Sequence, residues 1–276
     1  MAYYSPIDLS SALDAIKDGQ LKIIAGGTDV YPAMKQGQTP SSFLDLTRIK
    51  ELARIVHDET GTRIGATATW TTLAKATLPA AFNGLKEAAH EVGGLQIQNA
   101  GTIAGNMCNA SPAADGVPPL LALNAQVELA SAARGKRTMA LSEFIQGVRK
   151  TALMSDEIVT AIHIPAQPEN AGSAFEKLGS RRYLVISIAM TAANVTLDAT
   201  GRITQAAVAV GACSAVAQRL PALESYLVGK RIAEVDVSPE HLDPLSPIDD
   251  VRGSGMYRLD VVPQQCKRAI VRAAGS

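Results

Sequence analysis

Two stretches of small residues hold the groups best suited to receive a large ligand. The first is Ile23-Ile24-Ala25-Gly26-Gly27-Thr28-Asp29-Val30; the second runs from Gly101 to Asp115 and includes Thr102, Ile103, Ala104, Gly105, Asn106, Cys108 and Asn109. Glycine and alanine leave main-chain N–H groups uncovered, so an anionic ligand can come close to the backbone. Phosphates suit that surface best. The first stretch continues the strand-like run from Leu21 and leads into a helix start over Val30 to Lys35, where unpaired N–H groups favour anions. The second reads as a long loop with little core of its own, a kind of segment that is usually functional or disordered.

Other chemistries are poorly served. There is no G-x-G-x-x-G, no G-x-x-x-x-G-K-[ST] and no G-x-S-x-G, so Gly26-Gly27 taken alone is more often a plain turn, and it is the second small-residue stretch that favours a ligand. His57, His90, His163 and His241 lie far apart and none has metal-ligand spacing to a cysteine. No metal site is expected. Cys108, Cys213 and Cys266 are too few for an ordinary iron–sulfur cluster and too scattered for a disulfide framework. Cys108 reads as a small packed hydrophobe rather than a reactive thiol. Arg134 to Arg137 and Arg181-Arg182 read as solvated turn charges. Lys177 stays open between an edge lysine and a cofactor contact, because it sits in a strand between Phe175 and Leu178 just ahead of Gly179.

The elements that must position these stretches follow from the hydrophobic pattern. At 276 residues, two domains or two lobes are expected. Lys plus Arg equals Asp plus Glu at 26 each, which gives no global field for nucleic acid or an anionic membrane. The amino terminus lacks a signal-peptide pattern and the near-apolar run Leu184 to Val195 is too short to span a bilayer, so the chain reads as cytoplasmic. Leu9, Leu13 and Ile16 mark a short helix capped by Asp8 or Ser10 and stopped at Gly19. Strands are expected at Leu21 to Ala25, Ser42 to Leu46, Ile55 to His57 and Thr62 to Ala66, and a helix over Phe82 to Val92. Further strands are expected at Gln126 to Ala130, Lys136 to Ala140, Glu157 to Ile164, Ala174 to Leu178, Ile186 to Leu197 and Ile203 to Gly211. Helices close the chain at Leu220 to Val228 and Met256 to Ala273, with Pro263 kinking or delaying the last. The polar segment Gln167 to Gly172 marks the domain boundary.

Ala25 to Val30 with Met34-Lys35, then Asn99 to Asn106 and Ala110-Ser111-Pro112-Ala113-Ala114-Asp115, resembles the FAD-binding medium subunits of molybdenum hydroxylases, the group of xanthine dehydrogenase and carbon monoxide dehydrogenase. Gly172 to Leu178 with Arg181-Arg182, and Gly253-Ser254-Gly255-Met256-Tyr257-Arg258, resemble the same family's carboxy-terminal domain. The resemblance implies an α+β fold: a two-lobed FAD-binding domain of the PCMH type over residues 1–170 (lobes of about 1–57 and 58–170), then a smaller antiparallel-sheet domain over 172–276. It implies that Ile23 to Val30 line the FAD diphosphate, that Thr102, Ile103, Ala104, Gly105 and Asn106 face the diphosphate and ribityl region, that Asp115 points towards the adenosine and that Lys177 approaches the flavin. Gln98 stands where an arginine is expected, Ala104 where a glycine is usual, and Pro263 within the last helix.

What the resemblance implies about activity is an electron-transfer subunit with no catalytic residue of its own. A [2Fe-2S] small subunit would deliver electrons, a molybdenum–pterin large subunit would oxidise the substrate, and NAD or oxygen would accept. The alternatives are a free-standing flavin oxidase and a subunit that binds nucleotide only structurally. The cofactor would carry the chemistry, in keeping with the lack of an evident acid–base pair.

Overall fold

The computed structural model describes residues 2–35 and 42–275. The chain opens with β1 (Ala2–Tyr4), α1 (Leu9–Ile16), β2 (Lys22–Ile24), α2 (Val30–Lys35) and β3 (Ser42–Asp45). These strands form a small parallel sheet in the order β1-β3-β2. Asp8 is the cap of α1, its carboxylate accepting from Ser11 N at 2.8 Å, which satisfies a donor the helix cannot. Ala12, Ile16, Leu44, Leu46, Ile49 and Leu52 pack into the core of this lobe.

The second lobe comprises β4 (Ile55–Asp58), β5 (Gly61–Gly65), α3 (Trp70–Lys75), α4 (Asn83–Glu91), α5 (Leu95–Ala100), α6 (Ile103–Asn109) and α7 (Val117–Ala122). It continues with β6 (Gln126–Ser131), β7 (Gly135–Ala140), α8 (Leu141–Phe144), β8 (Ile145–Gly147), β9 (Lys150–Thr151) and β10 (Glu157–Pro165). The main sheet runs β4-β5-β10-β6-β7 and is antiparallel throughout; β8 and β9 form a separate hairpin. An expected lobe junction near residue 57 would divide β4 from β5, yet the two pair from Ile55 opposite Ile64 to Asp58 opposite Gly61. Strand pairing places β4 wholly with the second sheet.

Beyond it come β11 (Ala171–Leu178), β12 (Ala189–Leu197), β13 (Ile203–Gly211), β14 (Gln218–Arg219), α9 (Pro221–Leu227) and α10 (Gly255–Ala274). Their sheet is antiparallel in the order β11-β12-β13-β14, and α10 packs on β11 and β12. Val262, Cys266, Ala269, Ile270 and Ala273 form the buried stripe of α10. That stripe carries the helix straight through Pro263, where sequence alone suggests a break. The proline removes one helical hydrogen bond; the apolar face on either side of it outweighs the loss.

Small residues bring the second lobe and the last sheet together. A Cβ on Gly84 of α4 would lie 2.9 Å from the Ala174 backbone, and one on Gly211 would lie 2.9 Å from the Pro118 ring. Ala88, Ala122, Phe175, Met190 and Ala192 form one buried cluster across that seam. α4 is also pinned to the edge strand by polar bonds, since Gly84 N donates to Ser173 Oγ at 2.8 Å and Phe175 N to Glu87 at 2.8 Å.

Candidate functional site

β2 ends at buried Ile24, and its neighbour Ile23 packs on the first lobe's core, so both residues position the following turn rather than offer side chains to it. Gly27 has φ +69°, a left-handed conformation that a side chain would strain. Gly26 is pressed against the second stretch: a Cβ there would stand 1.8 Å from the Ala100 carbonyl oxygen. α2 begins at Val30, and Tyr31 N returns to Gly27 O at 3.0 Å. The N–H groups of Gly26, Gly27, Thr28 and Asp29 find no partner among the described residues.

The second stretch is not the coreless loop that its composition suggests. Thr102 caps α6, its hydroxyl accepting from Gly105 N at 3.0 Å, and Ile103, Ala104 and Met107 are buried in the main core of the lobe. Periodicity was hidden because alanine and glycine occupy both faces of this helix. Trp70, 1% exposed, lies beneath it: a Cβ on Gly116 would be 2.4 Å from the indole, and Trp70 N donates to Gly101 O at 3.2 Å. At the start of the stretch the N–H groups of Gly101 (to Ile97 O), Ile103 (to Ala68 O), Gly105 (to Thr102 Oγ1) and Asn106 (to Thr102 O) serve the fold. Those of Thr102 and Ala104 have no partner among the described residues. The Asn106 side chain accepts from Gly116 N at 3.3 Å.

Whether the two stretches make one surface is decided by their contacts. Gly26 abuts Ala100 and Gly101, Thr28 Oγ1 is the side-chain atom that a Cβ on Gly101 would meet, and Asn109 donates to Asp29 at 2.8 Å. Arg149 in turn donates to the Asn109 side chain and main-chain oxygen.

Asp115 and Lys177 meet each other at the seam with the last sheet. Lys177 Nζ lies 2.7 Å from Asp115 Oδ2 and 3.0 Å from Glu91 O, and Ser187 Oγ donates to Asp115 Oδ1 at 2.5 Å. Both charged side chains are buried. Burial raises the Asp115 carboxyl above its ordinary value, while the Lys177 ammonium and the Ser187 hydroxyl pull it back down. The resemblance assigns Asp115 to the adenosine and Lys177 to the flavin, at opposite ends of the cofactor. The fold joins the two side chains in one ion pair.

The residues fit a diphosphate. Donors without partners cluster where two backbones meet and side chains are excluded by glycine, which is the surface that phosphate oxygens need. Gln98 donates to His90 O at 3.0 Å and Gly93 O at 3.4 Å, closing the end of α4. The Ala104 methyl is buried in the core, so its departure from glycine leaves the ligand side unchanged. Cys108 packs against the main core, where burial pushes its thiol up to about 12. Among the described residues no group of three His, Cys, Asp or Glu side chains could hold a metal, and no helix is long and apolar enough to cross a membrane.

Three supporting residues escaped the sequence reading. Trp70 had no motif around it. Ser187 was the first hydroxyl in the apolar run after Val185, and Arg258 the one cation on the buried stripe of α10; each is a polar residue in an apolar setting, and that signal was available.

Comparison with known proteins bears on the same two regions. Residues 1–167 match the family model described as the FAD binding domain in molybdopterin dehydrogenase, and residues 173–273 that of the CO dehydrogenase flavoprotein C-terminal domain. The chain is 32% identical to the nicotine 6-hydroxylase medium subunit of Paenarthrobacter nicotinovorans, over 98% of this chain and 96% of that one. It is 31% identical to the xanthine dehydrogenase FAD-binding subunit of Escherichia coli O157:H7, over 100% and 96%. A solved structure of reconstituted CO dehydrogenase from Oligotropha carboxidovorans superimposes with a TM-score of 0.89 at 27% identity, covering 100% of this chain and 98% of that one.

Proposed function

The chain belongs to the FAD-binding medium subunits of molybdenum hydroxylases, and from that we propose which of its residues hold the cofactor and where the electrons go. Gly26, Gly27, Thr28 and Asp29 present N–H groups to the diphosphate, and Thr102 and Ala104 complete the cradle from the second stretch. Asp115 and Lys177 close the site where residues 1–170, the FAD-binding domain, meet the carboxy-terminal domain of 172–276. The observation that carries this reading is the contact of the two glycine turns, which gathers unpaired donors that neither stretch could collect alone.

Bound FAD supplies the chemistry of taking up two electrons and passing them on. This chain binds it, orients it and keeps bulk water from the buried Asp115 and Lys177. We place the substrate-oxidising centre on a molybdenum–pterin large subunit and the electron donor on a [2Fe-2S] small subunit. NAD or oxygen takes the electrons afterwards. The reading is motivated by the family and by the chain's own three separate cysteines, two of them fully buried. Purification of the native complex tests it: flavin absorbance in this chain together with iron and molybdenum in its partners is expected. A chain that stays colourless after reconstitution with FAD, or a native complex without iron and molybdenum, overturns it.

A further inference from the structure

The Gly253–Arg258 segment has no part in the site as described, yet its last residue bonds two main-chain carbonyls of the carboxy-terminal domain close to the seam. Arg258 is 2% exposed in the first turn of α10. Its Nη1 donates to Ile188 O at 2.6 Å and to Ala212 O at 2.7 Å, its Nη2 to Asp250 at 2.6 Å. Taking a guanidinium out of water is costly, and one kept there with its Nε unpartnered among the described residues calls for a reason beyond packing.

The two carbonyls supply it. Ile188 N donates to Leu178 O at 2.7 Å, which closes residues 179–187 at their base and sets Lys177 and Ser187 side by side. Both of those side chains bond Asp115. Ala212 sits at φ +60°, a left-handed conformation that a non-glycine residue holds only when its surroundings impose it. In that conformation its N–H reaches Pro112 O at 2.9 Å, three residues before Asp115. One guanidinium nitrogen therefore anchors the last sheet at the two points where it grips the Asp115 turn.

We propose that Arg258 is a positioning residue for the flavin site, holding Ile188 and Ala212 so that Lys177 and Ser187 meet Asp115. The inference rests on the FAD reading above. Arginine suits the task because its planar fork serves two carbonyls and a carboxylate at once, which a lysine ammonium on a flexible stem does not.

The test is a double-mutant cycle on the full chain, reading the FAD dissociation constant by flavin fluorescence. Arg258→Met is expected to weaken FAD about tenfold and Arg258→Lys about threefold, and both effects are expected to fall below about twofold in an Asp115→Asn background. The same loss in both backgrounds, or no loss in either, overturns the proposal. Should Arg258→Met not fold, Arg258→Lys keeps the charge opposite Asp250 and carries the cycle by itself. Wild-type chain that binds no FAD defeats the functional reading; wild-type chain that binds FAD with additive variants defeats only this inference.

Discussion

The glycine turns and the Asp115–Lys177 seam, the two parts of the proposed FAD site, are made of opposite materials. In the turns the working groups are main-chain N–H donors, exposed by the lack of side chains, so added bulk is the threat. In the seam they are two buried charges whose partners among the described residues are each other, Ser187 and Glu91 O, so removal of charge is the threat. A main-chain cradle is neutral and insensitive to pH. A buried ion pair adds little net stability while intact and leaves a large penalty when broken.

The largest effect expected is at Gly26. Gly26→Val places carbon where the Ala100 carbonyl stands, and FAD content, measured as flavin absorbance per chain, should fall to background. Full occupancy in a folded variant would remove the turn from the site. Next comes Lys177→Met, which strands Asp115 and should lower unfolding stability by about 3–5 kcal/mol. Adding Asp115→Asn should recover more than half of that loss in urea titrations. If the double variant instead shows the sum of both losses, the pair is not the unit described.

A smaller effect tests whether the turns depend on side chains at all. Thr102→Val deletes the cap of α6 and its bond to Gly105 N, with an expected loss of about 1 kcal/mol in thermal unfolding. An FAD affinity reduced by far more than that would give the hydroxyl a direct role.

The smallest concerns a charge cluster outside the site. Burial opposes ionisation of Glu128, but hydrogen bonds from Thr160 and His163, with Lys136 and Arg63 nearby, hold its carboxyl at about 2 against an ordinary 4.5. The unfolded chain therefore binds more protons between those values, and this contribution is complete above pH 4.5 and lost as pH falls towards 2. Glu128→Gln should lower stability by on the order of 1 kcal/mol at pH 7, given its partly exposed partners, and by almost nothing near pH 2. FAD affinity should not change. A changed affinity would mean that charge anywhere on the chain matters to the cofactor, and the contrast between cradle and seam would lose its meaning.

Much of this was legible from residue types. Strands such as Ile203–Gly211 announced themselves by composition and bounding turns, and Gly26-Gly27 gained meaning as a close approach only beside the second small-residue stretch. α6 was not legible, since Gly105, Ala104 and the residues near them erase the polar and apolar faces on which helical periodicity depends. Arg258 and Ser187 were visible as polar residues in apolar settings, but their partners are main-chain carbonyls and a carboxylate 72 positions away, and no local pattern encodes those.

By itself the sequence determined where the backbone is bare and which segments alternate or repeat with strand and helix periods. Those are local properties of residue type and spacing. Tertiary structure alone decided that Gly26 lies against Ala100, that Asp115 and Lys177 form one buried ion pair, and that Arg258 bonds the Ile188 and Ala212 carbonyls. Such pairings are set by how sheets and helices pack at long range, where burial turns ordinary side chains into partners that cannot be exchanged.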